Sequence, residues 1–320
     1  MPTTVPWPDL AEQLNRTGVH ARSLQPLAEL TTFRIGGPAG LVCWVKNPDH
    51  ALRFLDLAHA HALPWTCLGG GSNILADDAG YAGAILRVAG ADLEVHGDAV
   101  RAGAGWDFDA LIAATLDAGL SGLEFASGIP GTLGGAVVGN AGCYGHEIGE
   151  FVREATVLRP NGRLEVVGPE EFAFTYRSSA LKERADVVLD VLLQLRRGAL
   201  AAAAAERADH LQDRRRKHPW DLPCAGSYFK NLPPLAPGER RRAAGQLLEI
   251  AGAKAMREGD AGVYEKHANI IVNLGRAGSA DVLRLADRMR TAVWDRFGER
   301  LEEEVRHLRT PNASLSQTSE

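Results

Sequence analysis

The sequence predicts an α+β protein built from at least two packed units. A chain of 320 residues is long enough for two or three such units. Segments with the alternation of strands are interspersed with segments that have the apolar spacing of helices. Near residue 197 the composition changes, because glycine-rich sequence gives way to a run of alanines and then to charged sequence. We therefore predict a domain boundary there.

The first part of the chain reads as an extension followed by alternating strands and helices. Residues 1–20 are rich in proline and threonine, and we expect them to pack loosely. After a strand near residues 41–45, Asn47-Pro48 has the pattern of an N-cap and first helical residue, and that helix ends before Pro64. Further strands are predicted at 65–68, 84–88 and on both sides of a turn at Gly97-Asp98.

The middle of the chain is predicted to contain one helix, one hairpin and one strand. A helix over residues 108–118 is closed by Gly119. Residues 155–167 form a hairpin, because Asn161-Gly162 is the strongest short-range turn signal. A strand follows at residues 187–195.

Beyond the predicted boundary, helices dominate. The alanine run at 199–205 leads into a connecting helix that ends with the basic residues 214–217. A helix near 240–250 and a strand at 268–272 come next. A long helix is predicted from Ser279, its cap, to Phe297, and Gly298 stops it. We expect the last ten residues, which are polar, to be disordered.

Composition excludes several classes of partner. The net charge of −5 and the pI near 6.1 give no electrostatic case for nucleic acid or for a membrane surface, so a small-molecule partner is favoured. The four cysteines are widely spaced and form no Cys-x-x-Cys, which indicates neither a metal site nor a disulfide framework and fits a reducing cytoplasm. No stretch approaches the roughly 18 apolar residues that span a bilayer. The sequence leaves the oligomeric state open.

Two glycine clusters are the strongest pointers to a ligand. Residues 122–145 contain eight glycines, and Gly69-Gly70-Gly71 follows a short apolar run. Glycine lets a backbone approach a ligand closely, and successive exposed N–H groups bind phosphate. Neither cluster has the pattern of a P-loop or of a Rossmann dinucleotide site. Each cluster alone is equally consistent with structural turns, but together they favour a dinucleotide or another diphosphate.

Three further segments place charged or hydroxyl side chains where packing does not require them: residues 174–179, 225–231 and 301–306. If the second segment is extended, its period of two puts Ser227 and Asn231 on one face. Taken singly, each of these residues also has an ordinary structural reading: Ser227 as a turn residue, Arg177 as a surface cation and Glu304 as a solvated carboxylate.

The order of all these segments and their amino-acid sequences resemble the motifs of the MurB family, the UDP-N-acetylenolpyruvoylglucosamine reductases of bacterial cell-wall synthesis. The resemblance runs from about residue 27 to 307. The motifs that carry it are Thr32–Gly37, Gly69–Asn73, Gly122–Gly145, Tyr176–Ser178, Gly226–Asn231, His267–Asn273 and Glu304–Arg306.

The resemblance implies an α+β fold in which an FAD-binding module of the vanillyl-alcohol-oxidase (PCMH) type, with two subdomains, precedes a smaller α/β substrate-binding domain. On this chain we expect an N-terminal extension, the FAD-binding region, a C-terminal substrate-binding domain and a disordered tail. Their bounds are 1–20, 21–197 with subdomains of about 21–87 and 88–197, 198–309 and 310–320.

The family's reaction passes hydride from NADPH to FAD and then to the methylene carbon of an enolpyruvyl ether, giving a lactyl ether. By resemblance, Arg177 holds the substrate carboxylate, Glu304 is the acid that works with it, and Ser227 donates the proton. A serine hydroxyl can serve because the enolate of a carboxylate is a strong base. The residues that match substrate contacts are Asn231, Lys217 and Tyr176.

The resemblance also implies that FAD is bound without a covalent bond along the two glycine clusters. The residues that match the two walls of this site are Gly69, Gly70, Gly71, Ser72 and Asn73 on one side, and Ser127, Gly128, Ile129, Pro130, Gly131, Thr132, Gly134, Gly139 and Gly145 on the other.

One departure from the family pattern concerns the substrate diphosphate. The interval from Arg177 to Ser227 is too short for the extra tyrosine-bearing loop of part of the family, so the chain resembles the branch that lacks it. The basic run at 214–217 is our candidate for holding the diphosphate instead. Two other functions stay open: an FAD-linked oxidase or dehydrogenase of a small alcohol or hydroxy acid on the same fold, and a non-catalytic nucleotide-binding protein.

Overall fold

The chain divides into two compact units in a computed structural model that describes residues 5–311. Unit 1 comprises the described residues up to Gln25 together with Ala39–Gly70 and Ala82–Arg214. Unit 2 comprises Pro26–Pro38, Gly71–Tyr81 and the described residues from Arg215 onward. Unit 1 therefore continues past residue 197, where the composition changes, and unit 2 is assembled from three separate segments.

The helices of the described chain are α1 (Trp7–Arg16), α2 (Pro48–Ala60), α3 (Phe108–Asp117), α4 (Leu133–Val138), α5 (Pro169–Phe172), α6 (Ala180–Glu183), α7 (Leu200–Lys217), α8 (Ala244–Ile250) and α9 (Ser279–Phe297).

The strands are β1 (His20–Pro26), β2 (Pro38–Val45), β3 (Trp65–Cys67), β4 (Ile74–Ala76), β5 (Tyr81–Val88), β6 (Leu93–His96), β7 (Ala99–Gly103), β8 (Leu120–Ser121), β9 (Gly142–Cys143), β10 (His146–Glu147), β11 (Val152–Leu158), β12 (Leu164–Val167), β13 (Val187–Gln194), β14 (Arg196–Arg197), β15 (Cys224–Ser227), β16 (Arg257–Glu258), β17 (Ala261–Val263), β18 (Ile270–Asn273) and β19 (Arg306–Leu308).

The first sheet of unit 1 has the strand order β1-β2-β5-β3 and packs against α1 and α2 around one apolar cluster. The expected Asn47 cap is confirmed, because its side chain accepts a hydrogen bond from the His50 N–H at 2.9 Å. The expected loose packing of residues 1–20 is wrong for residues 7–16, whereas residues 1–4 lie outside the described residues. Helix α1 buries Leu10 and Leu14, one turn apart on its apolar face, so this stretch belongs to the core.

The second sheet of unit 1 has the order β12-β11-β13-β7-β6, and α3 and α4 contribute to its core. The predicted hairpin of β11 and β12 is present, and Gly162 in its turn has a φ of +85°, which favours glycine. Helix α3 is capped by Asp107, whose side chain accepts from the Ala110 N–H at 2.9 Å. This sheet and its helices support the long glycine segment.

Unit 2 is built on the sheet β15-β18-β17-β16 and on α9. The predicted α9 has the expected bounds, and its buried face carries Val282, Leu285, Ala286, Met289 and Val293. A parallel pair of β4 and β19 joins two of the segments that form this unit. Because β4 comes from residues 71–81 and β19 from the C-terminal part, the unit depends on pairing between distant stretches of sequence.

One expected helix cap and one expected helix start in unit 2 are wrong. Gly278, not Ser279, is the N-cap of α9, because the Ser279 N–H and hydroxyl both donate to the Asp78 carboxylate, at 2.8 and 3.0 Å. Helix α8 begins at Ala244 rather than near residue 240, because Arg242 pairs with Leu232 through backbone hydrogen bonds.

Within residues 5–311, every helix is too short or too polar to cross a lipid bilayer. The same residues contain no cluster of His, Cys, Asp and Glu that could hold a metal ion. The disordered tail expected at 310–320 lies, apart from its first two residues, outside the described residues.

Candidate active site

Within unit 1, Gly69 and Gly70 of the first glycine cluster lie against the second cluster. A Cβ atom placed on Gly70 would lie 2.7 Å from the Gly131 Cα, and one on Gly69 would lie 2.8 Å from the Thr132 hydroxyl oxygen. Such distances leave no room for a side chain, so glycine is needed at these positions for the loops to touch. The two clusters therefore form one continuous surface, whatever ligand they bind.

Helix α4 interrupts the long glycine segment, which the sequence alone gave no reason to divide. The Thr132 hydroxyl accepts a hydrogen bond from the Gly135 N–H at 3.3 Å and so caps the helix. Gly134 donates its N–H to the Ala104 carbonyl at 2.9 Å, and a Cβ on Gly134 would lie 3.0 Å from the Ala104 Cβ. Gly139 ends the helix as its C-cap.

Ser127 is the residue of this segment that most directly indicates a binding site for a polar ligand. Its side chain is fully buried, and its hydroxyl makes no hydrogen bond with any of the described residues. A buried hydroxyl without a partner costs on the order of 1–3 kcal/mol, so a bound polar group there would remove that cost. The backbone N–H groups beside it are already used within the protein. Ser127 donates to the Glu124 carbonyl, Gly128 to the Asp109 carboxylate and Ile129 to the Ala126 carbonyl.

The other predicted FAD residues are divided between the units. Ile129, Pro130 and Gly145 lie in unit 1, and a Cβ on Gly145 would meet open space. Gly71, Ser72 and Asn73 belong to unit 2. Gly71 has a φ of +67° and packs directly on the Leu30 carbonyl, so a side chain would not fit there either.

Arg87 is a neighbour of the glycine surface that the sequence analysis missed. This residue of β5 donates from Nη2 to the Gly69 carbonyl oxygen at 3.0 Å, and burial lowers the pKa of its guanidinium. The guanidinium thus places a positive charge beside the first glycine cluster. The available signal was an arginine inside an otherwise apolar strand.

Ser227 and Glu304 are brought together by the backbone of unit 2. Ser227 is the last residue of β15 and pairs with Ile270, after Gly226 at a φ of +73°. The Glu304 N–H donates to the carbonyl of Tyr228, the residue after Ser227, at 2.8 Å. The two predicted acids therefore sit on adjacent segments of chain.

Asn73 fixes the Glu304 segment in the same unit. Its side-chain Nδ2 donates to the Glu304 carbonyl at 3.0 Å, and its own carbonyl accepts from the Arg306 N–H at 3.0 Å. The end of the first glycine cluster and the Glu304–Arg306 motif are thus one local structure.

Asn269 is a second residue that the sequence analysis missed. Its buried side chain accepts from the Phe229 N–H at 2.9 Å and donates to the Phe229 carbonyl at 2.8 Å, while its own carbonyl accepts from the Tyr228 N–H at 2.7 Å. These bonds set the path of the chain directly after Ser227. The signal was present in the His267–Asn273 motif, but nothing in the sequence showed which residue it faces.

The remaining predicted site residues have structural contacts of their own. Arg177, in unit 1, has a φ of +59°, donates to the Gly142 carbonyl at 2.8 Å and lies 5.4 Å from the centre of the Tyr176 ring. Such a backbone conformation is uncommon outside glycine and clusters at functional sites. In unit 2, the Asn231 side chain accepts from the Ala244 N–H at 3.2 Å, and Lys217 is the last residue of α7.

His267 is a buried histidine of unit 2 that lies near two lysines. Burial lowers the pKa of His267, and the nearby Lys254 and Lys217 act in the same direction, against Glu249. The His218 ring lies 5.6 Å from the His267 ring. His267 is therefore held neutral near pH 7.

Comparison with known proteins gives two domain matches. Residues 39–168 match the family described as "FAD binding domain". Residues 218–308 match the family described as "UDP-N-acetylenolpyruvoylglucosamine reductase, C-terminal domain". The predicted α+β class, with an FAD-binding region ahead of the C-terminal domain, is confirmed.

Relatives that align with most of the chain are also named as this reductase. UDP-N-acetylenolpyruvoylglucosamine reductase 2 of Symbiobacterium thermophilum is 45% identical over 287 residues, which is 89% of this chain and 91% of that protein. The enzyme of Anoxybacillus flavithermus is 37% identical, over 92% of this chain and 97% of its own. The crystal structure of the Thermus caldophilus reductase superposes with a TM-score of 0.75 at 33% identity, over 90% of this chain and 98% of that chain.

Proposed function

This chain belongs to the UDP-N-acetylenolpyruvoylglucosamine reductase family, and from that membership we propose that it reduces the enolpyruvyl ether of a UDP-linked amino sugar to a lactyl ether. It is an FAD-containing oxidoreductase with NADPH as hydride donor. The observation that supports the FAD-dependent function most directly is the buried Ser127 hydroxyl, which has no hydrogen-bond partner among residues 5–311 and lies in the second of the two glycine clusters.

The residues around Ser127 fit a bound FAD. When bound, FAD supplies the chemistry of accepting a hydride from NADPH and releasing it to a carbon acceptor. Because the N–H groups of residues 127–129 are already paired, we assign the Ser127 hydroxyl rather than those amides to the cofactor. Gly69, Gly70 and Gly131 have no side chains that would keep FAD away from the backbone. The Arg87 guanidinium beside Gly69 would offset the negative charge of the FAD phosphates. Gly71, Ser72 and Asn73 stay proposed cofactor contacts.

Three side chains are proposed to bind the substrate carboxylate and to supply the proton. Hydride addition to the methylene carbon leaves negative charge at the carboxyl end, and the adjacent carbon then needs a proton. The Arg177 guanidinium binds and stabilises the carboxylate as that charge develops. The Ser227 hydroxyl donates the proton, and Glu304 assists at the carboxyl end. Tyr176, Asn231 and Lys217 are proposed substrate contacts, and the basic run at 214–217 is proposed to hold the diphosphate.

We also propose that the reaction takes place in the cytoplasm. All four cysteines are free thiols, as suits a reducing compartment. The proposed partners are the UDP-linked enolpyruvyl sugar and NADPH, and neither nucleic acid nor insertion into a membrane forms part of the proposal.

Replacing Arg177 tests the proposed function by separating its two half-reactions. Arg177→Ala removes the partner of the developing charge, and the loss of one such contact costs on the order of 100-fold in rate. Oxidation of the reduced enzyme by substrate should therefore slow about 100-fold, while reduction of the bound flavin by NADPH stays near the parent rate. Both rates are measured by stopped-flow absorbance.

A matched control for Arg177 is Arg153→Ala, because Arg153 is an exposed arginine on β11. The control should keep both rates. If both half-reactions of Arg177→Ala fell together, Arg177 would act on the cofactor or the fold and not on the substrate.

A further inference from the structure

Helix α7 is held to unit 1 by polar contacts rather than by a core. Among its 18 residues, Ala203 is the buried one. Its alanine-rich start gives a high intrinsic helix propensity but little apolar surface to bury. The position of α7 must therefore depend on specific hydrogen bonds and ion pairs.

These contacts come from one face of the helix. Arg207, His210 and Arg214 are spaced by three and four residues, so they project on the same side. Arg207 donates to both carboxylate oxygens of Asp109, at 2.6 and 2.9 Å. A ring nitrogen of His210 lies 3.0 Å from the Glu124 carbonyl oxygen, and Arg214 donates from Nε to the Gly128 carbonyl at 2.9 Å.

Asp109 connects this face to the glycine segment. Besides binding Arg207, its Oδ1 accepts a hydrogen bond from the Gly128 N–H at 2.8 Å. Both backbone groups of Gly128 are therefore fixed, the N–H by Asp109 and the carbonyl by Arg214. The hydrogen bond from Arg207 is the main cause that lowers the pKa of Asp109, so its carboxylate stays charged near pH 7.

Tyr144 gives a second connection between α7 and the glycine segment. Its ring stacks on His210 with 3.9 Å between centroids, and its hydroxyl donates to Asp213 at 3.0 Å. The helix thus contacts the segment at both Gly128 and Tyr144.

We propose that Asp109 and Arg207 are positioning residues for FAD, acting through Gly128 to hold the buried Ser127 hydroxyl where the cofactor binds. Gly128 has a φ of +73°, and the Ser127 hydroxyl before it has no hydrogen-bond partner in the part of the chain that the structure describes. Fixing this turn before binding removes an ordering cost from the association, which strengthens affinity. The proposal rests on the FAD site of the proposed function, although neither residue is assigned a contact with FAD.

The test measures the dissociation constant of FAD for the full chain, from the rise in flavin fluorescence on dilution of the holoenzyme. We expect Arg207→Ala and Asp109→Asn each to weaken FAD binding about tenfold, the size of one hydrogen bond to a charged group. Arg207→Lys keeps the charge but cannot donate to both carboxylate oxygens in the same way, so its dissociation constant for FAD should lie between those of these variants and that of the parent. The double variant should bind FAD as tightly as the single variant with the lower affinity, because each substitution breaks the same Asp109–Arg207 interaction.

Two controls make the result specific. Arg53→Ala, at an exposed arginine of α2, should bind FAD as the parent does. The apoproteins of Arg207→Lys and Asp109→Asn should unfold within a few degrees of the parent apoprotein, so that lost affinity is not lost folding. Parent-like FAD affinity in these two variants, or fully additive losses in the double variant, would overturn the proposal. Failure of the proposed function is distinct, since the parent itself would then bind no FAD, or would bind FAD without being reoxidised by the UDP-linked enolpyruvyl sugar.

Discussion

Asn73 and Asn269 act on backbone, and through it on the two side chains proposed to move protons. One asparagine fixes the Glu304 segment and the other fixes the chain after Ser227. The sequence predicted Ser227 and Glu304 because their motifs resemble a family. It could not predict that Asn269 fixes the chain after Ser227, because the hydrogen-bond partners of a buried amide cannot be read from the sequence.

Ser227→Ala should separate proton donation from the earlier steps. The variant should bind FAD and accept hydride from NADPH at the parent rate, since neither step needs the hydroxyl. Formation of the lactyl product should fall by about 100-fold or more, because a positioned proton donor typically contributes that much. Rapid mixing of the pre-reduced variant with substrate, followed by product analysis, gives the answer.

Ser121→Ala, at another half-buried serine, is the matched control and should behave as the parent does. Normal product formation by Ser227→Ala at the parent rate would remove Ser227 from the mechanism and leave Glu304 as the next proton donor to test.

His267 should make the folded chain less stable as the pH falls from about 7 to 5. Burial lowers its pKa below the ordinary value of 6.5, so the unfolded chain takes up the proton first and gains stability from it. The free energy of unfolding should fall by at most about 1.4 kcal/mol per pH unit through this residue. Urea unfolding of the parent and of His267→Gln at pH 7, 6 and 5 measures the difference.

The free energy of unfolding of His267→Gln should fall less between pH 7 and 5 than that of the parent. His59→Gln, at an exposed histidine of α2, should show the same pH dependence as the parent. Equal slopes for the parent and His267→Gln would mean that the ring is protonated as readily in the folded chain as in the unfolded one.

Among the secondary-structure elements, those with strong local signals were predicted well. Helix α9 and the Asn161-Gly162 hairpin have apolar spacing or turn residues that need no tertiary partner. Helix α4 was missed because its sequence is glycine-rich, and it forms through the Thr132 cap and contacts with Ala104. Helix α1 was taken for part of a loose extension because the prolines and threonines of residues 1–20 drew attention away from its apolar face.

Gly70→Val should lower FAD affinity by separating the two glycine clusters. A side chain at Gly70 would overlap Gly131, and overpacking of this kind typically costs about 1–3 kcal/mol, which here corresponds to roughly a tenfold or greater loss of binding. The measurement is the ratio of bound flavin to protein by absorbance after gel filtration. Gly168→Val is the control, because a Cβ there meets open space and its backbone is extended. Full flavin occupancy in Gly70→Val would show that the clusters do not form the cofactor surface.

The organisation of the entire chain was predictable only in part. The change in composition near residue 197 indicated two main parts, yet the first unit runs to Arg214 and the second recruits Pro26–Pro38 and Gly71–Tyr81. That recruitment depends on long-range pairing, such as Arg306 with Ile74 in the β4–β19 pair. No local pattern encodes such a pairing, so a sequence read in order assigns these segments to the unit that surrounds them.

One anaerobic absorbance experiment can show whether this chain uses FAD to pass hydride from NADPH to an enolpyruvyl sugar nucleotide. The purified protein should be yellow, lose its flavin absorbance on addition of NADPH, and regain it in proportion to added UDP-linked enolpyruvyl sugar. The lactyl ether should appear in equal amount. A colourless protein, or reduced flavin that is reoxidised by oxygen but not by the sugar nucleotide, would show that the chain does not catalyse this reaction.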